Sequence, residues 1–297
     1  MNPKLFFLET RPQFLVLSIV LAFLGNCVAL YDGYFHLGHA IIALIGLILA
    51  HTSCNVLNDY FDYKSGVDLA TERTPFSGGS GLIKEGLLKP KQVFWFGIIC
   101  FAIIIPIGIY FVMVKGWLLL PLLLIAAICI LLYSPFILKL NWPEWSPCLG
   151  LGILPVLGTY FIQTSAYTWH ALVASIPSGF LVHNLLLLNE FPDTEADKKG
   201  QRKTLPITMG KYKAGIVYSV ITIMVYIWII ISIIFGAMPV FALISLLTLP
   251  LAIKAIHGAM KSNDLSKLIP AMGNNVLVVL STQLLMGIGY ILAAVLK

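Results

Sequence analysis

Charged residues are scarce in this sequence: Asp, Glu, Lys and Arg make up 11% of its 297 residues, against roughly a quarter in an ordinary soluble domain. Hydrophobic residues make up 59%, and a soluble protein of this composition could not cover its surface with polar groups. The composition excludes a conventional cytosolic enzyme, a disordered chain and, despite the net charge of +6, a nucleic-acid-binding protein. It predicts a helical protein embedded in the lipid bilayer.

Repeats and paired cysteines are also missing. The 24 Gly and 16 Pro residues follow no period, which excludes collagen-like and repeat architectures. The five cysteines have no CxxC or zinc-like spacing. They lie in or beside apolar stretches, which is typical of small buried hydrophobic side chains. No disulfide framework is predicted.

Long apolar runs are what the sequence has in abundance. A helix needs about 20 residues to cross roughly 30 Å of hydrocarbon, and long runs without alternation favour helices over strands. The predicted spans are 14–31, 36–57, 92–114, 117–138, 147–165, 168–190, 214–235, 238–257 and 270–295. The sequence therefore predicts an all-α polytopic membrane bundle of nine transmembrane helices, forming one domain over residues 1–297.

Basic residues set the expected orientation, because cytoplasmic loops carry an excess of Lys and Arg. With the N-terminus inside, the nine spans place 17 of the 19 basic residues on the inner side and only Lys115 and Lys297 on the outer side. This segregation predicts an N-in, C-out protein of the cell or inner membrane.

Two acidic motifs directly follow the second and sixth predicted spans. Their polar residues are Asn55, Asn58, Asp59, Asp62 and Asp68 in the first motif and Asn189, Asp193 and Asp197 in the second. If each helix continues into its motif, most of these side chains share one face at spacings of three or four. Clustered carboxylates at a membrane helix end are costly without a cation. Oxygen ligands without Cys or His predict Mg²⁺, which commonly bridges carboxylates to substrate phosphates.

Basic residues follow each acidic motif: Arg73 the first, Arg202 and Lys203 the second. Such cations could stabilise a departing diphosphate, and they could equally be positive-inside residues. The segment 77–81 (SGGSG) could bring backbone N–H groups to a phosphate, or could be a flexible loop.

Both motifs resemble those of the UbiA superfamily of intramembrane prenyltransferases. Residues 58–68 (NDYFDYKSGVD) resemble the first aspartate-rich motif of that family, and residues 189–206 (NEFPDTEADKKGQRKTLP) resemble the second. Residues 133–139 (YSPFILK) resemble the family segment after the fourth span, where Tyr and Lys flank the diphosphate and the reacting carbon.

The resemblance implies Mg²⁺-dependent transfer of a polyprenyl group from an allylic prenyl diphosphate to an aromatic acceptor, with the active-site loops on the cytosolic side. It implies Asn58, Asp62, Asp193 and Asp197 as metal ligands, Asp62, Asp193, Tyr133 and Lys139 as catalytic residues, and Asn55, Asn58, Asp59, Asp68, Arg73, Asn189 and Lys203 as substrate-binding residues.

The form of the first motif indicates which acceptor the protein uses. Many family members have a further aspartate where this chain has Gly66, with Asp68 two positions on. This form resembles the branch that acts on 1,4-dihydroxy-2-naphthoate, so we predict that acceptor and a place in menaquinone synthesis. Prenylation of 4-hydroxybenzoate, homogentisate or a glycerol-phosphate lipid stays open, as do the prenyl chain length and the oligomeric state.

Two other classes of membrane protein are alternatives. A secondary transporter is disfavoured because its coupling acids would lie near the bilayer midplane, whereas these acids lie at span ends. A phospholipid head-group transferase is disfavoured because its aspartate-rich signature, with glycine and arginine at fixed offsets, is not found.

Overall fold

A computed structural model describes residues 2–261 and 264–296; Lys297, predicted to lie on the outer side, falls outside them. The described residues form helices and connecting turns, with no β-strand among them. In chain order the helices are α1 Pro3–Glu9, α2 Pro12–Tyr31, α3 Leu37–Ser65, α4 Val67–Ala70, α5 Pro90–Lys115, α6 Trp117–Leu131, α7 Trp145–Thr164, α8 Trp169–Lys199, α9 Leu205–Met209, α10 Lys211–Ile234, α11 Val240–Ala259 and α12 Leu265–Val295.

Within the described part of the chain, eight helices are long and apolar enough to cross a membrane, namely α2, α3, α5, α7, α8, α10, α11 and α12. Helix α6 is apolar but shorter. The prediction of an all-α polytopic membrane protein is confirmed. Each of the nine predicted spans corresponds to one of these nine helices, while nine crossings and the N-in, C-out orientation stay predictions.

The fourth predicted span, 117–138, is longer than the helix that forms there. Helix α6 ends at Leu131, and the chain then turns until a short 3₁₀ helix at Ile137–Lys139. Proline disfavours helical backbone at the residue before it, so Pro135 opposes continuation of the helix through Ser134. The turn places Tyr133 beside the ends of α3 and α8.

Helices α3 and α8 are longer than their predicted spans, 36–57 and 168–190. Helix α3 continues past Asp62, and Asp68 follows on α4. Helix α8 continues past Asp197 despite Pro177 and Pro192 within it. Helix α3 ends at Ser65, and the next residue, Gly66, has a φ of 80°, the left-handed conformation that commonly closes a helix. The motifs therefore lie on helix ends, where residues three or four apart share a face, and not in loops.

Small residues allow close approach at two interfaces that position these helices. Ser53 of α3 donates a hydrogen bond of 2.9 Å to the Gly97 carbonyl of α5. A Cβ atom added to Gly152 of α7 would lie 2.6 Å from the Cα atom of Gly179 on α8. Within membranes, such close packing and interhelical hydrogen bonds hold helices together. Each contact holds one of the two motif-bearing helices against a neighbouring helix.

Candidate active site

The ends of α3 and α8 meet around a polar cavity of about 110 Å³. Among the described residues, five carboxyl groups line this cavity, those of Asp62, Asp68, Glu190, Asp193 and Asp197. Two guanidinium groups, those of Arg11 and Arg202, line it as well. Asn58, Tyr133 and Asn189 also line it. The structure thus brings together seven predicted site residues: Asn58, Asp62, Asp68, Tyr133, Asn189, Asp193 and Asp197.

Arg202 joins the two acidic motifs. One guanidinium nitrogen lies 2.7 Å from Asp197 Oδ1, and the other forms an ion pair with Asp62. Burial lowers the pKa of Arg202, but the two carboxylates outweigh that effect and raise its pKa above the ordinary value. A permanent positive charge therefore lies between the motifs, from the first of the two basic residues that follow the second motif.

Asp59 does not line the polar cavity; it anchors the loop after α4. It accepts a 2.7 Å hydrogen bond from the Ser80 backbone N–H, and it lies 3.1 Å from Arg11 Nη2. Ser80 Oγ in turn donates to Glu9 Oε2 at 2.7 Å. Burial and the neighbouring Asp59 raise the pKa of Glu9 to about 7. Helix α1 and this loop are therefore tied together beneath the site.

The same loop, residues 77–81, closes one side of the polar cavity. Ser77 Oγ donates to Asp193 Oδ1 at 3.2 Å. A Cβ atom on Gly79 would lie 3.2 Å from Asp59 Oδ1 and 3.3 Å from Asp68 Oδ1, and its φ of 69° also favours glycine. Glycine therefore lets the backbone lie directly against two carboxylates.

Besides Asp59, four predicted site residues lie outside the polar cavity. Arg73, Lys139 and Lys203 have exposed side chains, and Arg73 pairs with Glu85 at 3.2 Å. Asn55 donates to the Thr10 carbonyl at 3.1 Å and lines a neighbouring apolar cavity. Their catalytic or substrate-binding roles stay predictions.

The donor set of the polar cavity fits a hard divalent cation. Across the described residues, no three His, Cys, Asp or Glu side chains are already arranged as a metal cluster. Burial raises the pKa of Asp68 to about 8, and the nearby Asp62 and Asp59 contribute to the rise. This crowding of carboxyl groups, and their excess over the two arginines, favour a cation with oxygen ligands.

An apolar cavity of about 560 Å³ adjoins the polar one, between α3, α5, α6 and α7. The residues that line both are Arg11, Asn58, Phe76, Tyr133, Leu186 and Asn189. Burial raises the pKa of Tyr133 well above its ordinary value, with a contribution from Glu190, so its phenol stays protonated at this junction. The combined space suits an amphiphile with an anionic head, a bound cation and a hydrocarbon tail.

Comparisons with known proteins agree with this arrangement. The sequence model of the UbiA prenyltransferase family matches residues 17–281. The 1,4-dihydroxy-2-naphthoate octaprenyltransferase of Bacillus subtilis (strain 168) is 28% identical over 266 residues, covering 89% of this chain and 84% of the relative.

Two solved structures share the fold. A UbiA homolog from Aeropyrum pernix K1 has a TM-score of 0.72 at 17% identity, with 94% of this chain and 98% of that chain covered. A UbiA homolog from Archaeoglobus fulgidus, bound to GPP and Mg²⁺, has a TM-score of 0.62 at 15% identity, with 96% and 99% covered. Since the family match extends over most of the sequence, this chain belongs to the UbiA prenyltransferase family and is an integral membrane prenyltransferase.

Proposed function

We propose that this protein transfers a polyprenyl group from an allylic prenyl diphosphate to 1,4-dihydroxy-2-naphthoate, in a Mg²⁺-dependent step of menaquinone synthesis. The observation that carries the proposal is the junction between the acidic cavity and the apolar cavity. A prenyl diphosphate likewise joins a charged head, which binds a metal cation, to an apolar tail. The choice of acceptor rests on the Bacillus relative and on the form of the first motif, with Asp68 two positions after Gly66.

Asn58, Asp62, Asp193 and Asp197 would hold Mg²⁺ together with the diphosphate. When bound, the metal neutralises the charge that develops on the departing diphosphate. The excess of carboxyl groups over guanidinium groups in the cavity supports this assignment, as does the Archaeoglobus homolog bound to GPP and Mg²⁺.

The residues of this chain would prepare the substrate in three ways. Arg11 and Arg202 place positive charge on the cavity wall, where the leaving group keeps its negative charge. Tyr133 lies at the junction of the two cavities, where its ring face can stabilise an allylic cation. The apolar cavity keeps water away from that cation. The electron-rich ring of the acceptor then forms the new carbon–carbon bond. The attacked carbon regains aromaticity by losing its proton to a base or, if it carries the carboxylate, by losing CO₂.

We further propose that the polar cavity faces the cytosol and that residues 1–297 act as one domain. The segregation of Lys and Arg supports this orientation. Both acidic motifs follow spans of even number, so they lie on one side of the membrane if every predicted span crosses it.

The test uses purified protein in detergent with Mg²⁺ and an allylic prenyl diphosphate. The acceptors 1,4-dihydroxy-2-naphthoate, 4-hydroxybenzoate, homogentisate and a glycerol-phosphate lipid are offered in parallel, and products are identified by mass spectrometry. We expect prenylated naphthoate product, and none with EDTA. Asp62→Asn and Asp193→Asn should each lower turnover roughly 100-fold or more, whereas Glu85→Gln, on an exposed loop carboxylate, should not.

Each other outcome contradicts a different part of the proposal. Prenylation of another acceptor alone would contradict the naphthoate assignment. Near-normal turnover in Asp62→Asn would contradict the metal site. Folded protein that forms no product and releases no diphosphate would favour the transporter alternative.

A further inference from the structure

The apolar cavity carries one positive charge, at the end where it meets the polar cavity. Among residues 2–261 and 264–296, Arg11 is the only Lys, Arg, Asp or Glu that lines the apolar cavity, and it lines the polar cavity as well. The other guanidinium group of the site, that of Arg202, lines the polar cavity and is engaged there by the two motif aspartates. Arg11 is therefore the cation that a ligand in the apolar cavity can reach.

The ion pair with Asp59 leaves part of the Arg11 guanidinium group unused. Nη2 lies 3.1 Å from Asp59 Oδ1, whereas Nε is buried and has no hydrogen-bond acceptor in the part of the chain that the structure describes. A guanidinium group has five N–H donors, and a buried donor without a partner is costly. A ligand with carboxylate oxygens would satisfy Nε, because Arg binds carboxylates through parallel hydrogen bonds.

The backbone around Arg11 holds this side chain in place. Arg11 has a φ of 54°, a left-handed conformation that is uncommon for a residue other than glycine. The preceding carbonyl, that of Thr10, accepts a 3.1 Å hydrogen bond from Asn55 of α3, and the Arg11 Cζ atom lies 5.9 Å from the centre of the Phe14 ring. Strained backbone of this kind is typical of ligand-binding sites. Helix α2 begins directly after Arg11, and its dipole adds positive charge at this end.

The aromatic acceptor has to bind on the apolar side of the junction. The polar cavity, of about 110 Å³, would hold the diphosphate and its cation, and the acceptor ring must reach the allylic carbon beyond them. Phe14 lines the apolar cavity and Phe76 lines both cavities, so aromatic surface is present beside Arg11. A hydroxynaphthoate has an apolar ring and one carboxylate, which matches an apolar wall that carries one cation.

We propose that the Arg11 guanidinium group binds the carboxylate of the aromatic acceptor and thereby orients the acceptor ring toward the allylic carbon. The inference rests on the proposed function and makes Arg11 the residue that selects carboxylated acceptors. Arg11 holds the carboxylate until the new carbon–carbon bond forms. If the attacked carbon carries this group, it leaves as neutral CO₂ and its bonding electron pair returns to the ring. If a neighbouring carbon is attacked, that carbon loses its proton and the carboxylate stays paired with Arg11.

The test compares two acceptors that differ only in the carboxylate, 1,4-dihydroxy-2-naphthoate and 1,4-dihydroxynaphthalene. Both are assayed under reducing conditions with Mg²⁺ and an allylic prenyl diphosphate. For each acceptor, kcat/KM is measured with the parent protein, Arg11→Gln and Arg11→Lys, and the KM for the prenyl diphosphate is measured in parallel. Lys4→Gln is the matched control, because Lys4 is an exposed basic residue of the same N-terminal segment.

We expect the parent protein to prefer the naphthoate. Arg11→Gln should lower kcat/KM for the naphthoate about 10- to 100-fold, as follows from the loss of a charge-assisted hydrogen bond. Its kcat/KM for dihydroxynaphthalene and its KM for the prenyl diphosphate should each change less than about threefold, because neither depends on the carboxylate. Arg11→Lys keeps the charge but not the fork of N–H donors, so it should lose roughly three- to tenfold with the naphthoate. Lys4→Gln should match the parent protein with both acceptors.

Two results would overturn the inference while leaving the proposed function intact. One is a parent protein that uses the two acceptors equally well. The other is an equal loss with both acceptors in Arg11→Gln, which together with a raised KM for the prenyl diphosphate would assign Arg11 to diphosphate binding. If Arg11→Gln does not fold, Arg11→Lys takes its place, and an unchanged preference between the acceptors there overturns the inference. A parent protein that prenylates neither acceptor would instead overturn the proposed function.

Discussion

Replacing Arg202 with methionine would remove the positive charge between Asp62 and Asp197 and leave both carboxylates buried without it. The Arg202 side chain is 13% exposed, and those of its two partners are 10% and 3% exposed. Removing one partner of a buried ion pair costs about 3–5 kcal/mol, because the other charge loses its compensation. At about 2–4 °C per kcal/mol for a large domain, the Tm of the metal-free protein should fall by roughly 6–20 °C.

Arg73→Met is the matched control for this prediction. Arg73 is also an arginine that follows an acidic motif, but its ion pair with Glu85 joins side chains that are 45% and 52% exposed. Exposed pairs contribute about 0–1 kcal/mol, so this variant should lose less than roughly 4 °C.

The assay is thermal unfolding in detergent with EDTA, followed by intrinsic fluorescence. Added Mg²⁺ should raise the Tm of Arg202→Met by more than it raises the Tm of the parent protein. In the variant, the Asp62 and Asp197 carboxylates lack the guanidinium group that pairs with them in the parent. Equal loss of Tm in Arg202→Met and Arg73→Met would refute the reasoning that Arg202 stabilises the two motifs.

Two further predictions concern pH and packing. Burial raises the pKa of Asp68 to about 8 in the folded protein, against an ordinary value of 3.8. Between these pH values the metal-free folded state holds a proton that the unfolded state has lost, so its stability should fall as pH rises from about 4 to 8. Asp68→Asn should flatten the plot of Tm against pH in EDTA, and an unchanged slope would contradict this. Gly152→Ala should push α7 away from α8 at a cost of about 1–3 kcal/mol, and so lower the Tm. In the control Gly158→Ala, on the same helix, the added methyl group meets only Leu122 at an ordinary 3.5 Å, so the Tm should fall less. Equal Tm values for the two variants would contradict the close-contact argument.

The spans and the shared faces of the motifs could be predicted because they depend on local sequence. Apolar length alone identified the membrane helices, and a spacing of four placed Asp193 and Asp197 on one face of α8. The ends of the helices are harder to predict from the sequence. Helices α3 and α8 continue past their apolar stretches, and α6 ends before Pro135. Where a helix ends depends on caps and tertiary contacts as well as on hydrophobicity.

The arginines of the site show what could not be predicted. The sequence predicts a substrate-binding role for Lys203, but the structure turns Arg202 inward. Gln201 adopts a left-handed φ of 58°, and the Lys203 N–H donates to the Leu138 carbonyl at 3.1 Å. This turn and its contact with the segment after α6 leave Arg202 facing the cavity. Arg11 lies far from Asp59 in the sequence, and only the packing of α2 against α3 brings them together.

Glu144 illustrates the same limit. It lies in a connection with no recognisable motif, 46 positions before Glu190 in the chain. A lone glutamate after a predicted span has many explanations. Its burial and the 2.6 Å hydrogen bond that its Oε1 accepts from the Leu205 backbone N–H are visible only in three dimensions.

The convergence of α3 and α8 has an electrical consequence. Backbone dipoles give the C-terminal end of a helix about half a unit of negative charge, and Asp62 and Asp197 lie in the last turns of these two helices. The two helix ends therefore add to the field of the carboxylates, and a bare anion approaching the cavity is repelled. A diphosphate should enter as its metal complex, so we expect analogues that cannot chelate a divalent ion to be weak inhibitors.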